Sequence, residues 1–436
     1  MRRRLTTGLL IAACALPMQA QKVWTLQQCI SHAISHNISV RQQEDNMRQQ
    51  EIALSTARNS RLPNLAASAG ENFSFGRGLT ANNTYANRNT QSTSFSLGTS
   101  VPLITGGQIP AQVRQQRLGL QASMQDYKKA QDDVTLNVIS AYLEAVCQKE
   151  LVEVARGQVS LSNAQVERME ALLARGKAAP ADVAQWRTTL ATDSMTLVRQ
   201  QNSLMLSLLT LSQLLELDSP AGFDVETPAE ALPLDAVLPA PEAVYAEAQG
   251  FKPQVVGEQL RLLQAQEGIA AAHSALFPTL HFSAGLGSSY YKTSGFAANS
   301  FGSQMRDNFN QYFGLSLNIP IFNRLHTRNS IRSARVAVHT RQLQLQETRK
   351  ALYREIQQAY YNAVAAQRQC RSAEVAGESA ETSYHLMKSK YENGKANATE
   401  LQDAKTQLTR ARSEEVQARL TFLFRRRLLD FYRSPS

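Results

Sequence analysis

Ala57-Arg58-Asn59-Ser60-Arg61-Leu62-Pro63-Asn64-Leu65-Ala66-Ala67-Ser68-Ala69-Gly70 returns later in the chain as Ala272-His273-Ser274-Ala275-Leu276-Phe277-Pro278-Thr279-Leu280-His281-Phe282-Ser283-Ala284-Gly285. Both copies place a proline just before a strand-like stretch that contains Ser-Ala-Gly. A second pair matches Phe95–Ile104 with Phe313–Phe322. A third matches Arg175-Gly176-Lys177 and Asp182 with Asn393-Gly394-Lys395 and Glu400. The order is the same and the spacing nearly constant. A period near half the chain is neither a solenoid nor a propeller, whose units run to tens of residues. It describes one fold built from two similar halves.

Alternation defines the strands. Phe95, Leu97, Thr99, Val101 and Leu103 face one way, and Ser94, Ser96, Gly98, Ser100 and Pro102 the other. In the second half Phe313, Leu315, Leu317, Ile319 and Ile321 alternate with Gly314, Ser316, Asn318 and Pro320, and Leu280, Phe282, Ala284 and Leu286 with His281, Ser283 and Gly285. The predicted strands are 64–75, 92–103, 279–290 and 311–321. An apolar face opposite a small polar one fits a membrane barrel with lipid outside and water inside. A half-buried soluble hairpin alternates in the same way. The Asn-, Gly-, Ser- and Tyr-rich stretches 76–91 and 289–311 are expected as loops on the outer side of such a barrel.

Between the strands lie helical patterns. Leu26–Arg61 is expected as one amphipathic helix that stops before Pro63. Gln112–Arg175 and Asn329–Tyr391 contain no proline, so each predicts a helix on the order of 100 Å long. Each ends at a tight turn, Gly176-Lys177 or Gly394-Lys395, that starts a shorter helix. The shorter helices of each half together match the long one, which predicts a two-layer helical cylinder. The resulting plan is a first repeat over 21–217, a linker over 218–241 with Pro220, Pro228, Pro233, Pro239 and Pro241, and a second repeat over 242–436.

The first 20 residues read as a secretory signal. Arg2-Arg3-Arg4 forms a basic start, Leu9–Leu16 an apolar core, and Met18-Gln19-Ala20 a small-residue cleavage site. A rival reading takes Ile11-Ala12-Ala13-Cys14 as a lipoprotein box that would acylate Cys14. No later stretch is apolar enough for a membrane-crossing helix. The formal charge of +10 includes the three signal arginines. With no aromatic-interleaved basic patch, it reads as solvated helix faces rather than a nucleic-acid surface. Cys29, Cys147 and Cys370 give no disulfide framework.

Four strands cannot close a barrel, and open edges in lipid leave unpaired backbone groups. Two chains would supply eight strands and three would supply twelve. Eight-stranded barrels are filled by side chains, whereas Gly, Ser and Asn here are too small to plug a lumen. Three copies sharing a twelve-stranded barrel is the economical closure.

These residues resemble the TolC-like outer membrane factors, the outer-membrane efflux proteins. The resemblance covers essentially the whole mature chain. It rests on Trp24-Thr25-Leu26-Gln27-Gln28-Cys29-Ile30 with Ala33 and Asn37, on Val101-Pro102-Leu103-Ile104-Thr105-Gly106-Gly107, and on the paired turns at Gly176 and Gly394. It implies a mainly α fold with a membrane β-barrel portion, in which duplicated helix-strand-strand-helix-helix halves form a trimeric 12-stranded β-barrel continuous with a long periplasmic α-helical barrel. It further implies an outer-membrane efflux channel within outer membrane lipid. The implied partners are a periplasmic adaptor (membrane fusion) protein and an inner-membrane transporter of the resistance-nodulation-division type.

At the far end of the helices, Glu400 and Asp403 lie three apart on one helix face. In three copies they would form stacked carboxylate rings, an arrangement that selects cations. The resemblance assigns Glu400 and Asp403, and Asp182 in the first half, to the closed periplasmic gate. The alternative is helix chemistry: first-turn acids complement the dipole, and Thr399 with Gln402 resembles a capping box. The resemblance assigns adaptor contact to the hairpin tips, Arg175, Gly176, Lys177, Asn393, Gly394 and Lys395. It departs from the family at Ala396, where a base is usual, leaving Lys177 and Lys395 as substitutes. His32 and His36 stand at i,i+4 but lack a third metal ligand. No nucleophile elbow, phosphate loop or metalloprotease signature occurs, so no enzyme and no cofactor is expected. Alternatives to the efflux duct are a type I protein-secretion duct and, from a different class, a structural periplasmic coiled-coil rod.

Overall fold

The computed structural model describes residues 22–79, 83–219, 222–227 and 237–434. The signal peptide, Cys14, and the linker prolines 220, 228 and 233 lie outside the described residues. In chain order the elements are β1 (Lys22–Trp24), α1 (Leu26–His36), α2 (Ile38–Asn59), β2 (Asn64–Ser74), β3 (Arg77–Leu79), β4 (Tyr85–Asn87), β5 (Thr90–Thr105), α3 (Gln108–Ala174) and α4 (Pro180–Leu214). The second half supplies β6 (Phe223–Val225), α5 (Pro241–Phe251), α6 (Pro253–Ser274), β7 (Thr279–Thr293), α7 (Phe301–Asp307), β8 (Asn310–Asn318), α8 (His326–Glu392) and α9 (Ala398–Arg433). The duplication survives in the lengths. α1 and α5 have 11 residues each, α2 and α6 have 22, α3 and α8 have 67, and α4 and α9 have 35 and 36.

Two compact units divide the chain, and neither coincides with one half. One unit takes the described residues through Gln42 with Lys129–Ala248 and Leu352–Ser436; the other takes Gln43–Lys128 and Gln249–Ala351. The first is helical apart from β1 and β6. The second holds the strands of the main sheet and the helix segments that flank them in sequence.

That sheet is antiparallel in the order β2-β5-β7-β8. Its central pair, β5 with β7, joins the two halves and sets Gly98 opposite Gly285, Thr99 opposite Ala284 and Ser100 opposite Ser283. Directly paired residues share a face, so this register makes each face continuous. Val101, Phe282 and Leu315 align on the apolar face, as do Ala67, Leu97 and Leu286; Gly98, Gly285 and Tyr312 align on the other. The apolar face is open to solvent in the single chain, with Phe313 84% and Leu315 66% exposed. Pro102 sits inside β5 without disrupting it, because a bulge between Pro102 and Ile104 removes the need for its missing amide. Among the described residues β2 and β8 pair on one side only. No helix among them is long and apolar enough to cross a membrane.

Several expectations need correction. The strand expected over 311–321 ends at Asn318, since Pro320 has no amide to donate, and Ile321 is 94% exposed. The stretch 76–91 is not only loop: β3 and β4 form a small hairpin within it, although residues 80–82 lie outside the described residues. In 289–311, β7 runs on to Thr293 and α7 follows, capped by Ser300 and bonded to the sheet from Ser288 Oγ to the Met305 carbonyl at 2.5 Å. The helix expected from Leu26 to Arg61 is two helices. Asn37 breaks it by turning its own side chain onto the backbone: Oδ1 accepts from the Ser39 amide at 3.0 Å and Nδ2 donates to the Leu214 carbonyl at 3.2 Å.

The start of the linker is ordered as well. β6 pairs in parallel with β1, burying Phe223 and Val225. Tyr142 on α3 donates to the Glu226 carbonyl at 2.6 Å, and Lys149 binds Asp224 at 2.7 Å. Burial pushes the Tyr142 hydroxyl up to about 12. Cys29, Cys147 and Cys370 are free and buried, and burial raises the Cys29 thiol to about 12 and that of Cys147 to about 11. His32 and His36 stack at 4.0 Å between centroids, with Trp24 edge-on to His32.

One contact on the small-residue face makes a prediction. A Cβ at Gly285 would fall 2.8 Å from the Tyr312 ring, which lies across the Gly98–Gly285 pair. Gly285→Val should therefore displace that ring and lower stability by about 1–3 kcal/mol, read as a lower heat-unfolding temperature in detergent. Adding Tyr312→Ala should recover most of the loss. No recovery would mean that the ring is not what the valine strikes.

Candidate functional site

The hairpin ends lie in the helical unit and are built alike. α3 stops where the Lys177 amide reaches back to the Leu172 carbonyl at 2.8 Å and the Gly176 amide to Leu173 at 2.8 Å. α8 repeats this, from Lys395 to Lys390 at 2.9 Å and from Gly394 to Tyr391 at 3.1 Å. Both glycines have φ of +70°, the left-handed conformation this double closure requires, and only glycine holds it without strain. Arg175, Gly176, Lys177, Asn393, Gly394 and Lys395 are all exposed.

The helices that follow begin with an acid in the same place. Asp182 and Glu400 both occupy the third helical position. The Asn397 amide donates to Glu400 Oε2 at 3.0 Å, and the Glu400 amide donates to Asn397 Oδ1 at 2.9 Å. The capping box thus uses Asn397 and Glu400, not the expected Thr399 and Gln402. In the first half Ala179 has no acceptor, so only the return bond survives, from the Ala179 amide to Asp182 Oδ2 at 3.4 Å. Two of the three candidate gate acids therefore hold their own helix starts. Asp403 makes no hydrogen bond or ion pair among the described residues and is exposed beside Glu400.

Behind these acids the two hairpins share one core of Val166, Met169, Val183, Trp186, Tyr384, Leu401 and Ala404. Leu401 and Ala404 face this core while Glu400 and Asp403 remain on the surface. Burial, with Glu392 adding, raises the Tyr384 hydroxyl. Arg168 pairs with Glu392 at 2.8 Å and Arg187 with Glu170 at 2.6 Å, bracing the ends. Trp186 Nε1 and Gln402 Oε1 are buried without a partner among the described residues.

One polar cluster escaped the sequence reading. Lys405, 3% exposed, places Nζ 2.5 Å from Asp193 Oδ2, and Ser162 Oγ bonds to both. It ties α9 to α4 and α3 within the apolar stripe of Leu401, Ala404 and Leu408. The signal was present: a lysine at a stripe position, and an acid on the facing helix.

This architecture defines a class: an open sheet with one apolar and one small-residue face, joined in the chain to paired helical hairpins. The chain belongs to the outer membrane efflux protein family, whose model matches residues 29–216 and 244–429. The family is one of outer-membrane proteins, and that is the location of this chain. It is 28% identical over 311 residues to the pyoverdine export outer membrane protein OpmQ of Pseudomonas aeruginosa, a match covering 68% of this chain. The chain spans 61% of the length of that relative. Its fold is that of the outer membrane protein VceC of Vibrio cholerae (TM-score 0.73, 18% identity, 94% of this chain and 96% of that one). The Campylobacter jejuni CmeC outer membrane channel matches likewise (TM-score 0.75, 15% identity, 94% and 85%).

The buried lysine generates a prediction. Asp193→Ala leaves Lys405 charged and uncompensated, and should cost about 3–5 kcal/mol. Asp193→Leu combined with Lys405→Met removes both charges and should lie within about 1 kcal/mol of the parent. Denaturant midpoints in detergent test this; a double variant as weak as the single one would contradict it.

Proposed function

We propose that this chain is a passive exit duct in the outer membrane, and that three copies close a twelve-stranded barrel around an aqueous lumen. The observation that carries the reading is the sheet: two unpaired edges, a continuous exposed apolar face and a face of Gly and Ser. Such a face suits water, the opposite one suits lipid, and closure by copies satisfies the edges. The duct performs no catalytic step; energy comes from its partners, a periplasmic adaptor and an inner-membrane transporter. The two repeats over 21–217 and 242–436, joined by the 218–241 linker, supply two strands each.

The hairpin ends form the periplasmic entrance in this reading. Asp403, exposed and unpaired, is its principal charge, with Glu400 and Asp182 dividing their carboxylates between cap and lumen. The exposed tips around Gly176 and Gly394 meet the adaptor. Export of a small solute takes precedence over polypeptide secretion, because the name of the relative OpmQ states pyoverdine export.

Single-channel recording of the purified full-length protein tests the duct and its gate together. Stable openings blocked by a trivalent cation from one side are expected. Glu400→Gln retains an N3 capping group, so Glu400→Gln with Asp403→Asn removes charge while sparing the helix start. That variant should lose the block, with affinity falling roughly tenfold or more. Unchanged block overturns the acidic entrance, and no openings from folded, inserted protein overturn the duct.

A further inference from the structure

We propose that the helix-side rim of the sheet binds the phosphate of an anionic glycerophospholipid through Arg58, Arg61, Arg114 and Arg117, an inference that rests on the membrane reading of the sheet. These four arginines line one cavity of ≈ 620 Å³. The end of α2, the end of β5 and the first turns of α3 enclose it, and apart from Thr105 its remaining wall carries no polar side chain, with Leu103, Ile104 and Val113 among its apolar residues. Arg114 is paired with Glu267 at 2.8 Å. Arg58, Arg61 and Arg117 have no carboxylate partner among the described residues.

Four guanidinium groups around one cavity with one carboxylate repel each other unless an anion joins them. The sequence around the rim supplies none. Residues 55–65, 101–119, 270–281 and 319–340, which bracket the helix-side ends of the four strands, contain eight arginines and no Asp or Glu. The ligand must also have an apolar part, because Leu103 and Ile104 are half exposed beside the charges. Phosphate on arginine and acyl chain on Leu103 and Ile104 satisfies both demands. A second copy of this chain does not. Copies closing β8 against β2 would bring Arg324, just before α8, and Arg328, Arg332 and Arg335, in its first turns, toward Arg58 and Arg61. Arginine would meet arginine, and a lipid anion relieves that repulsion.

The test is native mass spectrometry of the full-length protein in micelles containing equal amounts of phosphatidylglycerol and phosphatidylcholine. Phosphatidylglycerol should be retained roughly tenfold over phosphatidylcholine, with the preference falling about fivefold when Arg61 alone is removed. Arg58→Gln with Arg61→Gln and Arg117→Gln should abolish it, and high salt should weaken it. Should that variant not fold, Arg61→Gln alone carries the comparison. Equal retention by the parent protein overturns the proposal, as does a preference that survives the triple variant. Displacement of the lipid by millimolar inorganic phosphate would mean a simple anion site and also overturns it. Conductance in neutral phosphatidylcholine bilayers separates the two levels: openings there with no lipid preference leave the barrel standing and remove the lipid site, whereas failure to insert in any bilayer removes the barrel reading itself.

Discussion

A backbone amide or carbonyl left unpaired in hydrocarbon costs several kcal/mol, and water is not there to satisfy it. Among the described residues of the single chain, β2 and β8 each carry a row of such groups along one side. Everything proposed for this chain depends on how those rows are satisfied. Four strands are too few to curl onto themselves, so in the proposed barrel the missing partners are strands of other copies. The same demand explains why the helices can be polar on most faces: none of those described is asked to cross lipid.

In the proposed barrel, register is what would leave the lumen open. Because the β5–β7 pair sets glycine against glycine and serine against serine, small residues line up across the middle of the sheet, where Tyr312 fills the space over Gly285, with His281 and Tyr291 on the same face nearer its two ends. A one-residue slip would turn Phe282 and Leu315 onto that face. At the hairpin ends the controlling interaction differs. There a shared apolar core and the buried Lys405–Asp193 pair hold the helices together, leaving the first-turn acids at the surface.

Much of this was legible because it is written as period and punctuation. The alternation from Phe95 to Val101, the prolines at 63 and 278, and the two Gly-Lys turns locate strands, helix ends and hairpins by local chemistry. The misses are non-local or depend on one competing side chain. Asn37 looks helical until its amide finds the Leu214 carbonyl. Phe223 and Val225 sit in a proline-rich linker and become a strand only because β1 and Tyr142 meet them. The capping box moved by two residues because Asn397 is the better cap, with an acceptor that reaches the third amide. Lys405 drew no notice in the sequence because its partners, Ser162 and Asp193, are far away along the chain. Asp403 was legible as an exposed acid, whereas the local bonds of Glu400 and Asp182 emerged only from the turn geometry.

Cross-linking between β2 and β8 tests the central claim most directly. Single cysteines would be placed along each strand of the full-length protein, with Cys29, Cys147 and Cys370 replaced by alanine. Oxidation in the membrane should join β2 of one copy to β8 of the next at positions in register, giving species of two and three chains and none larger. Absence of any β2–β8 link between copies, or a ladder that continues past three, would contradict closure of the barrel by three chains.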